Sequence, residues 1–270
     1  MKEQGFTLIE LSIVLVIIGL IVGGVLVGQN LITASEVRAQ ITQIEKYNSA
    51  ANTFLGKYGY LPGDIPNPVA GQNGFVQRGL YAGEGDGNGI LQGVSADGPG
   101  SNYGFNVGAG ETLMFWVDLS TIGLIDGGFN TASPNVVMSG GNVSITGLNL
   151  YFPQAKIGKG NYVTVWTANN VNLNYYTISA ATGISGAELV ATPNIPVAQA
   201  YKIDAKIDDG WPGTGRVIAM YYGSGTHGWA NAQGSDSTTS CFNNATTAGT
   251  YSLSINNGAE TTCALTFQFQ

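Results

Sequence analysis

The chain has 270 residues, with 10 lysines and arginines against 17 aspartates and glutamates and a net charge of −7. Only 10% of it is charged while 44% is hydrophobic, which excludes general disorder and describes a core of useful size under a loop-rich, β-leaning, neutral surface. The basic residues are scattered from Lys2 to Arg216 without a cluster, so charge-driven binding to nucleic acid is disfavoured and no specific nucleic acid is implied.

In chain order, a short polar leader, Met1 to Gly5, precedes Phe6 to Val27, an apolar run whose one ionisable residue is Glu10. At about 1.5 Å per residue the run covers a ~30 Å hydrocarbon core, which predicts a transmembrane helix. A conventional secretory signal has a basic start, a shorter apolar stretch and then a small-residue cleavage site. Here the apolar stretch is longer and holds a carboxylate, and the best small-residue site, near Ala34, falls inside a continuing helical pattern. Lys2 has Glu3 beside it and Arg38 lies far downstream, so the positive-inside bias is weak and orientation needs another argument.

A carboxylate at the centre of a spanning helix costs ~2.5–3.5 kcal/mol on insertion scales, so Glu10 calls for a partner or a function. The run itself contains no cation. Gly5-Phe6-Thr7-Leu8-Ile9-Glu10, behind its polar leader and ahead of its apolar run, resembles the processing site of the type IV pilin and pseudopilin family. The resemblance implies that a prepilin peptidase, acting from the cytoplasmic side, cuts between Gly5 and Phe6 and N-methylates Phe6. It also implies a head exported across the bacterial inner membrane, and assembly with copies of itself by inner-membrane machinery into a periplasmic or cell-surface filament. Cleavage would supply the missing cation, because the new α-amine of Phe6 has a reference pKa near 8 and stays cationic after methylation. Phe6 and Glu10 stand one helical turn apart, so the amine can pair with Glu10 of its own chain or of the next and set register in an assembly. The plainer reading of Glu10 is a carboxylate near a helix end that reaches the headgroups.

From Gln29 to Leu55 the pattern turns amphipathic, with Val37, Ile41, Ile44, Tyr47, Ala51, Phe54 and Leu55 three and four residues apart and Gly56 at the expected C-cap. The expected organisation is therefore a leader at 1–5, an N-terminal helix at 6–56 (6–27 transmembrane, 28–56 amphipathic) and an extracytoplasmic head at 57–270. Many pilins carry a proline in mid-helix where this chain has Val27, so a fixed kink is not expected. Gly19, Gly23, Gly24 and Gly28 either let the helix stretch during assembly or serve close helix packing, Gly19 and Gly23 being at G-x-x-x-G spacing.

Tyr58-Gly59-Tyr60-Leu61-Pro62-Gly63-Asp64 breaks the helix with turn chemistry and is similar to the helix exit of pseudopilins. A Gly-rich connection runs to about Gly110, followed by a helix whose stripe is Leu113, Met114, Trp116, Val117, Leu119 and Ile122, stopped by Gly123. Strands are expected at Val143–Phe152, Tyr162–Thr167, Leu173–Ser179, Arg216–Tyr222, Tyr251–Ile255 and Ala264–Phe269, several of them alternating as in a sheet with one wet face. A short helix from Pro196 to Ile207, entered at Asn194, ends at Asp208-Asp209-Gly210. The fold class is α+β, a pilin-like long helix laid on an antiparallel sheet. Cys241 and Cys263 are free thiols if the compartment is reducing; with the head exported they are expected to form a disulfide worth roughly 3 kcal/mol in the chain-entropy model.

No catalytic constellation stands out and no enzyme is expected. His227, in Gly225-Thr226-His227-Gly228, is the one histidine, which excludes two-histidine zinc sites. The run Gly83-Glu84-Gly85-Asp86-Gly87-Asn88-Gly89 neither follows a clear strand nor opens a helix, so it is not a phosphate cradle. Calcium is the one cofactor with donors to offer, from Asp204, Asp208 and Asp209 or from Glu84, Asp86 and Asn88, and neither set completes an EF-hand. The leading expectation is a filament subunit. The alternatives are a pseudopilin of a type II secretion system, a minor or tip adhesive pilin, and a membrane-anchored binding domain.

Overall fold

The computed structural model describes residues 7–79, 83–94, 107–167, 173–219 and 229–269. Gly5, Phe6 and His227 lie outside the described residues.

Helix α1 (Leu8–Tyr58) runs 51 residues, about 75 Å, without a break at any of its four N-terminal glycines. It ends at Gly59, whose φ of 77° admits the left-handed cap and whose N–H reaches the Leu55 carbonyl. The stop expected at Gly56 is displaced because the last turn is held by aromatic packing. The Tyr58 ring sits 4.7 Å from Phe54 and 5.1 Å from Phe75, centroid to centroid. Upstream of Val37 the helix is exposed; from Val37 onward Ile44, Tyr47, Ala50, Ala51 and Phe54 enter the core, with Ile41 and Leu55 partly covered.

The buried face also carries two amides that an apolar stripe does not foresee. Gln43 donates to the Gln154 carbonyl (2.8 Å) and accepts from the Lys156 N–H (2.9 Å), and Gln40 accepts from the Ile157 N–H (3.0 Å). They bind a loop that has no strand partner to α1, and so satisfy backbone groups that would otherwise be buried bare.

Helix α2 (Val69–Gln72) is a single turn. Helix α3 (Glu111–Thr121) is buried continuously from Glu111 to Leu119, not along one stripe, and Gly123 follows its stop with φ 70°. After α4 (Pro134–Ser139), the segment expected as a strand at Val143–Phe152 is strand only at β1 (Val143–Ser144). A 3-10 turn over Ile145–Leu150 replaces the rest. Gly147 weakens a strand there, and Tyr151 and Phe152 both donate to the Leu148 carbonyl, folding the chain around buried Leu148.

The sheet is built on β3 (Asn174–Ser185). Its first half is flanked by β2 (Asn161–Thr167) and by β9 (Leu265–Gln268), its second half by β1 and β4 (Glu188–Thr192), all antiparallel. Helix α5 (Val197–Ile207) begins after Pro196, later than Asn194, and β5 (Val217–Ile218) pairs with the far side of β9. The strands expected at Arg216–Tyr222 and Tyr251–Ile255 shrink to β5 and to β8 (Thr250–Tyr251); residues 220–222 lie outside the described residues. A second small sheet joins β6 (Ala232–Gln233), β7 (Phe242–Asn243) and β8.

Among the described residues, strict alternation of buried and exposed positions is seen in β4, whereas every residue of β2 is buried. Tyr176 faces the helices, 6.2 Å from Tyr47 and 6.3 Å from Trp116, while Tyr175 stacks on Trp166 at 5.1 Å across β3 and β2 on the opposite face. The architecture is α+β, a long helix against an antiparallel sheet. A disulfide joins Cys241 to Cys263 across 4.9 Å of Cα separation, and Cys263 exchanges two backbone hydrogen bonds with Ile195. It therefore staples the small sheet to the entry of α5.

Replacing Gln43 by leucine should leave the Lys156 N–H and the Gln154 carbonyl without their partner. We expect a loss of about 1–3 kcal/mol in chemical denaturation of the full chain in detergent. Stability equal to that of the parent would show that water takes over the amide's bonds.

Candidate functional site

Two regions concentrate function-bearing groups: the start of α1 and the loop that leaves its far end. At the start, Thr7 and Glu10 form a capping box. The Glu10 carboxylate accepts from the Thr7 N–H (2.9 Å) and hydroxyl (2.8 Å) through Oε2, while the Thr7 hydroxyl oxygen accepts from the Glu10 N–H (3.4 Å). A threonine three residues before a glutamate is the sequence signature of this box. That signal is present in the chain, but a carboxylate inside an apolar run overshadows it.

The box fixes where the charge sits. Glu10 is turned back toward the N-terminal end of α1, the end at which the helix dipole favours an anion. On either side of it, Leu8 (88% exposed), Leu20 (73%) and Leu31 (67%) mark a flank left open on every side, long enough and apolar enough to cross a membrane. A methyl group added at Gly19, Gly23, Gly24 or Gly28 would meet nothing within 4 Å, so within one chain these glycines pack against nothing.

At the other end, the chain leaves Gly59, passes Gly63 and wraps a cage of carboxylates. Asp64 (1% exposed) accepts from Gly87 N–H (2.7 Å) and Gly89 N–H (2.8 Å). Glu111, fully buried at the first turn of α3, accepts from Gly85 N–H (2.9 Å) and Gln92 N–H (2.8 Å). The Gly-rich run is therefore an anion-binding nest after all, and the anions are the chain's own side chains. Gly85 (φ 93°) and Gly87 (φ 78°) supply a left-handed backbone that other residues adopt with strain.

The calcium set suggested by Glu84, Asp86 and Asn88 is regrouped by this geometry. Oxygens of Asp64, Asp86 and Glu111 lie within 4.8 Å of one another, and the Asn88 side chain instead donates to Asp86 (2.9 Å) and accepts from Ile90 N–H (2.8 Å). Asp204, Asp208 and Asp209 are brought together to the same separation. Their oxygens already serve the turn after α5: Asp204 accepts from Gly210 N–H (3.0 Å) and the Tyr251 hydroxyl (2.7 Å), Asp208 from the backbone of Arg216 and Val217, and Asp209 from Trp211 N–H (2.9 Å).

One buried cation stands next to the cage. Arg78 pairs with Asp118 at 2.5 Å, both side chains fully buried, and Asp118 also accepts from Gly63 N–H (2.7 Å). Its guanidinium is spent on Asp118, the Ile65 and Val76 carbonyls and Met114 Sδ, so Asp64 and Glu111 face each other. Burial pushes Asp64 up to about 7 in spite of its backbone donors. Burial, then the neighbouring Asp64 charge, hold Glu111 well above the ordinary carboxylate range. Burial likewise takes Asp204 up to about 7.

These shifts have one sign. An acid whose pKa is raised by folding contributes stability that is fully present below its unfolded pKa, near 4, and lost as pH rises through its folded value. The chain should therefore resist denaturant better at pH 5 than at pH 8, and Glu111→Gln should flatten the difference. Equal or greater resistance at pH 8 would contradict buried carboxylates whose pKa values folding raises.

Residues 1–26 match the family model described as the prokaryotic N-terminal methylation motif. No curated protein and no solved structure matches the chain. The matched residues are the prepilin-type cleavage and methylation signal of type IV pilins, and they contain the capping box, Glu10 and most of the apolar flank.

Proposed function

We propose that the chain is the structural subunit of a type IV pilus-like filament, cut by prepilin peptidase between Gly5 and Phe6 and polymerised through α1. One observation carries the reading: a methylation motif runs into a helix whose only ionisable residue before Ser35 is a carboxylate held at the very end where cleavage would leave an amine. A plain anchor has no use for that charge, and in hydrocarbon it favours any arrangement that brings a cation to its depth. The amine of an adjoining copy, at matching depth, does so and sets the register between neighbours. Lipid covers the apolar flank before assembly, and the helices of neighbouring copies cover it afterwards.

The head supports export. Its disulfide is the kind of crosslink that persists in an oxidising compartment. Its role in this reading is structural and non-catalytic, presenting a sheet and loops on the outside of a helical core.

Glu10→Gln separates charge from capping, since a glutamine at the third helical position still accepts from the Thr7 N–H. In a strain expressing the rest of the assembly machinery, this variant should insert into membranes like the parent and yield about tenfold fewer sheared filaments. Filament yield equal to the parent's would remove the electrostatic part of the proposal.

A further inference from the structure

A cleft of about 300 Å³ opens where the end of α5 meets β8, and none of its lining residues belongs to α1 or to the carboxylate cage. It is lined by Tyr201, Asp209, Trp211, Thr250, Tyr251 and Leu253. Trp211 is 46% exposed and Tyr201 38%, whereas Trp116 and Trp166 are buried in the core. The Tyr201 and Tyr251 rings meet edge to face at 5.9 Å, closing one side.

A single turn positions the other side. Gly210, with φ 76°, reverses the chain after α5, and the Asp209 carboxylate accepts from Trp211 N–H (2.9 Å) and from the Thr214 hydroxyl (2.8 Å). Asp209 and Trp211 thus both line the cleft from one turn. Oxygens of Asp204 and Asp208 lie within 4.8 Å of Asp209, and among the described residues no lysine or arginine lines the cleft.

Aromatic faces attract a cation through their quadrupoles, and they do so best when the cation is weakly hydrated. A carboxylate beside those faces repels anions and gives nothing to an apolar solute. We propose that this cleft binds an organic cation of the quaternary-ammonium class, with its methyl groups against Trp211 and Tyr201 and its charge facing Asp209. The partner chemistry is that of choline, whether as a free molecule or as the head of a phosphocholine lipid. Such binding does not depend on filament assembly.

The test titrates the full chain, held in a maltoside detergent, with choline chloride, and follows heat and tryptophan fluorescence against sodium chloride of equal ionic strength. Saturable binding is expected. Trp211→Ala and Asp209→Asn should each weaken it by about tenfold, with the denaturation midpoint of Trp211→Ala unchanged, and the neutral isostere 3,3-dimethylbutan-1-ol should bind at least about tenfold more weakly. Phosphocholine binding as well as choline would identify a lipid headgroup as the source, and choline alone the free cation. No saturable response, an isostere as good as choline, or affinity unmoved by both variants would overturn the proposal.

Discussion

The flank of α1 from Leu8 to Ile32 is exposed and largely apolar, and from Val37 one face of the same unbroken helix is buried in the core of the head. The rest of the structure follows from that join. A helix this apolar has no stable place in water, so its first half must always be covered by something else. Its second half cannot be withdrawn without taking Ile44, Tyr47 and Phe54 out of the core. Whatever covers the one therefore holds the other, and the head travels with the helix as a rigid attachment. The amides of Gln40 and Gln43 tighten the attachment by giving direction to a contact that hydrophobic packing alone leaves free to slide.

Where α1 ends, the chain solves a different problem with polar groups. Among the described residues from Gly59 to Gln92 there is little regular structure to satisfy the backbone, and two buried carboxylates take that role by collecting N–H groups from the Gly-rich loop. The arrangement places like charges together with their nearest cation, Arg78, already paired to Asp118. It is held because α3 is surrounded, so Glu111 has no route to solvent. The same logic operates on a smaller scale at the turn after α5, where three aspartates hold backbone groups and the Tyr251 hydroxyl.

Legible in the sequence are features in which one residue's character decides the outcome locally. The apolar run, the lone Glu10, the stripe from Val37 to Leu55, the helix ending before Gly123 and the β2 and β9 strands are of this kind. The α+β class follows from them. Elements decided from a distance read differently in sequence and in structure. Gly56 has the look of a cap because the pull of Phe75 on Tyr58 is invisible in a local window. Val143–Phe152 has the look of a strand because the burial of Leu148, which outweighs its alternation, is a tertiary fact. The loop at 83–89 does not read as an anion cradle since its anions, Asp64 and Glu111, come from 19 residues before Gly83 and 22 after Gly89. Its Asp86 groups by sequence with Glu84 and Asn88, when the acids that share its space are those same two. The capping box is within reach of the sequence, and only its mechanical meaning requires coordinates.

In the proposed reading a single charge, that of Glu10, joins processing to assembly, and processing is the step that can be read without ambiguity. Mass spectrometry of the N-terminal peptide from chain isolated from membranes of cells with prepilin peptidase measures it directly. The expected result is a mature chain beginning at N-methylated Phe6. A chain still beginning at Met1, or one beginning near Ser35, would leave Glu10 without the cation that assembly requires and would contradict the link between the two.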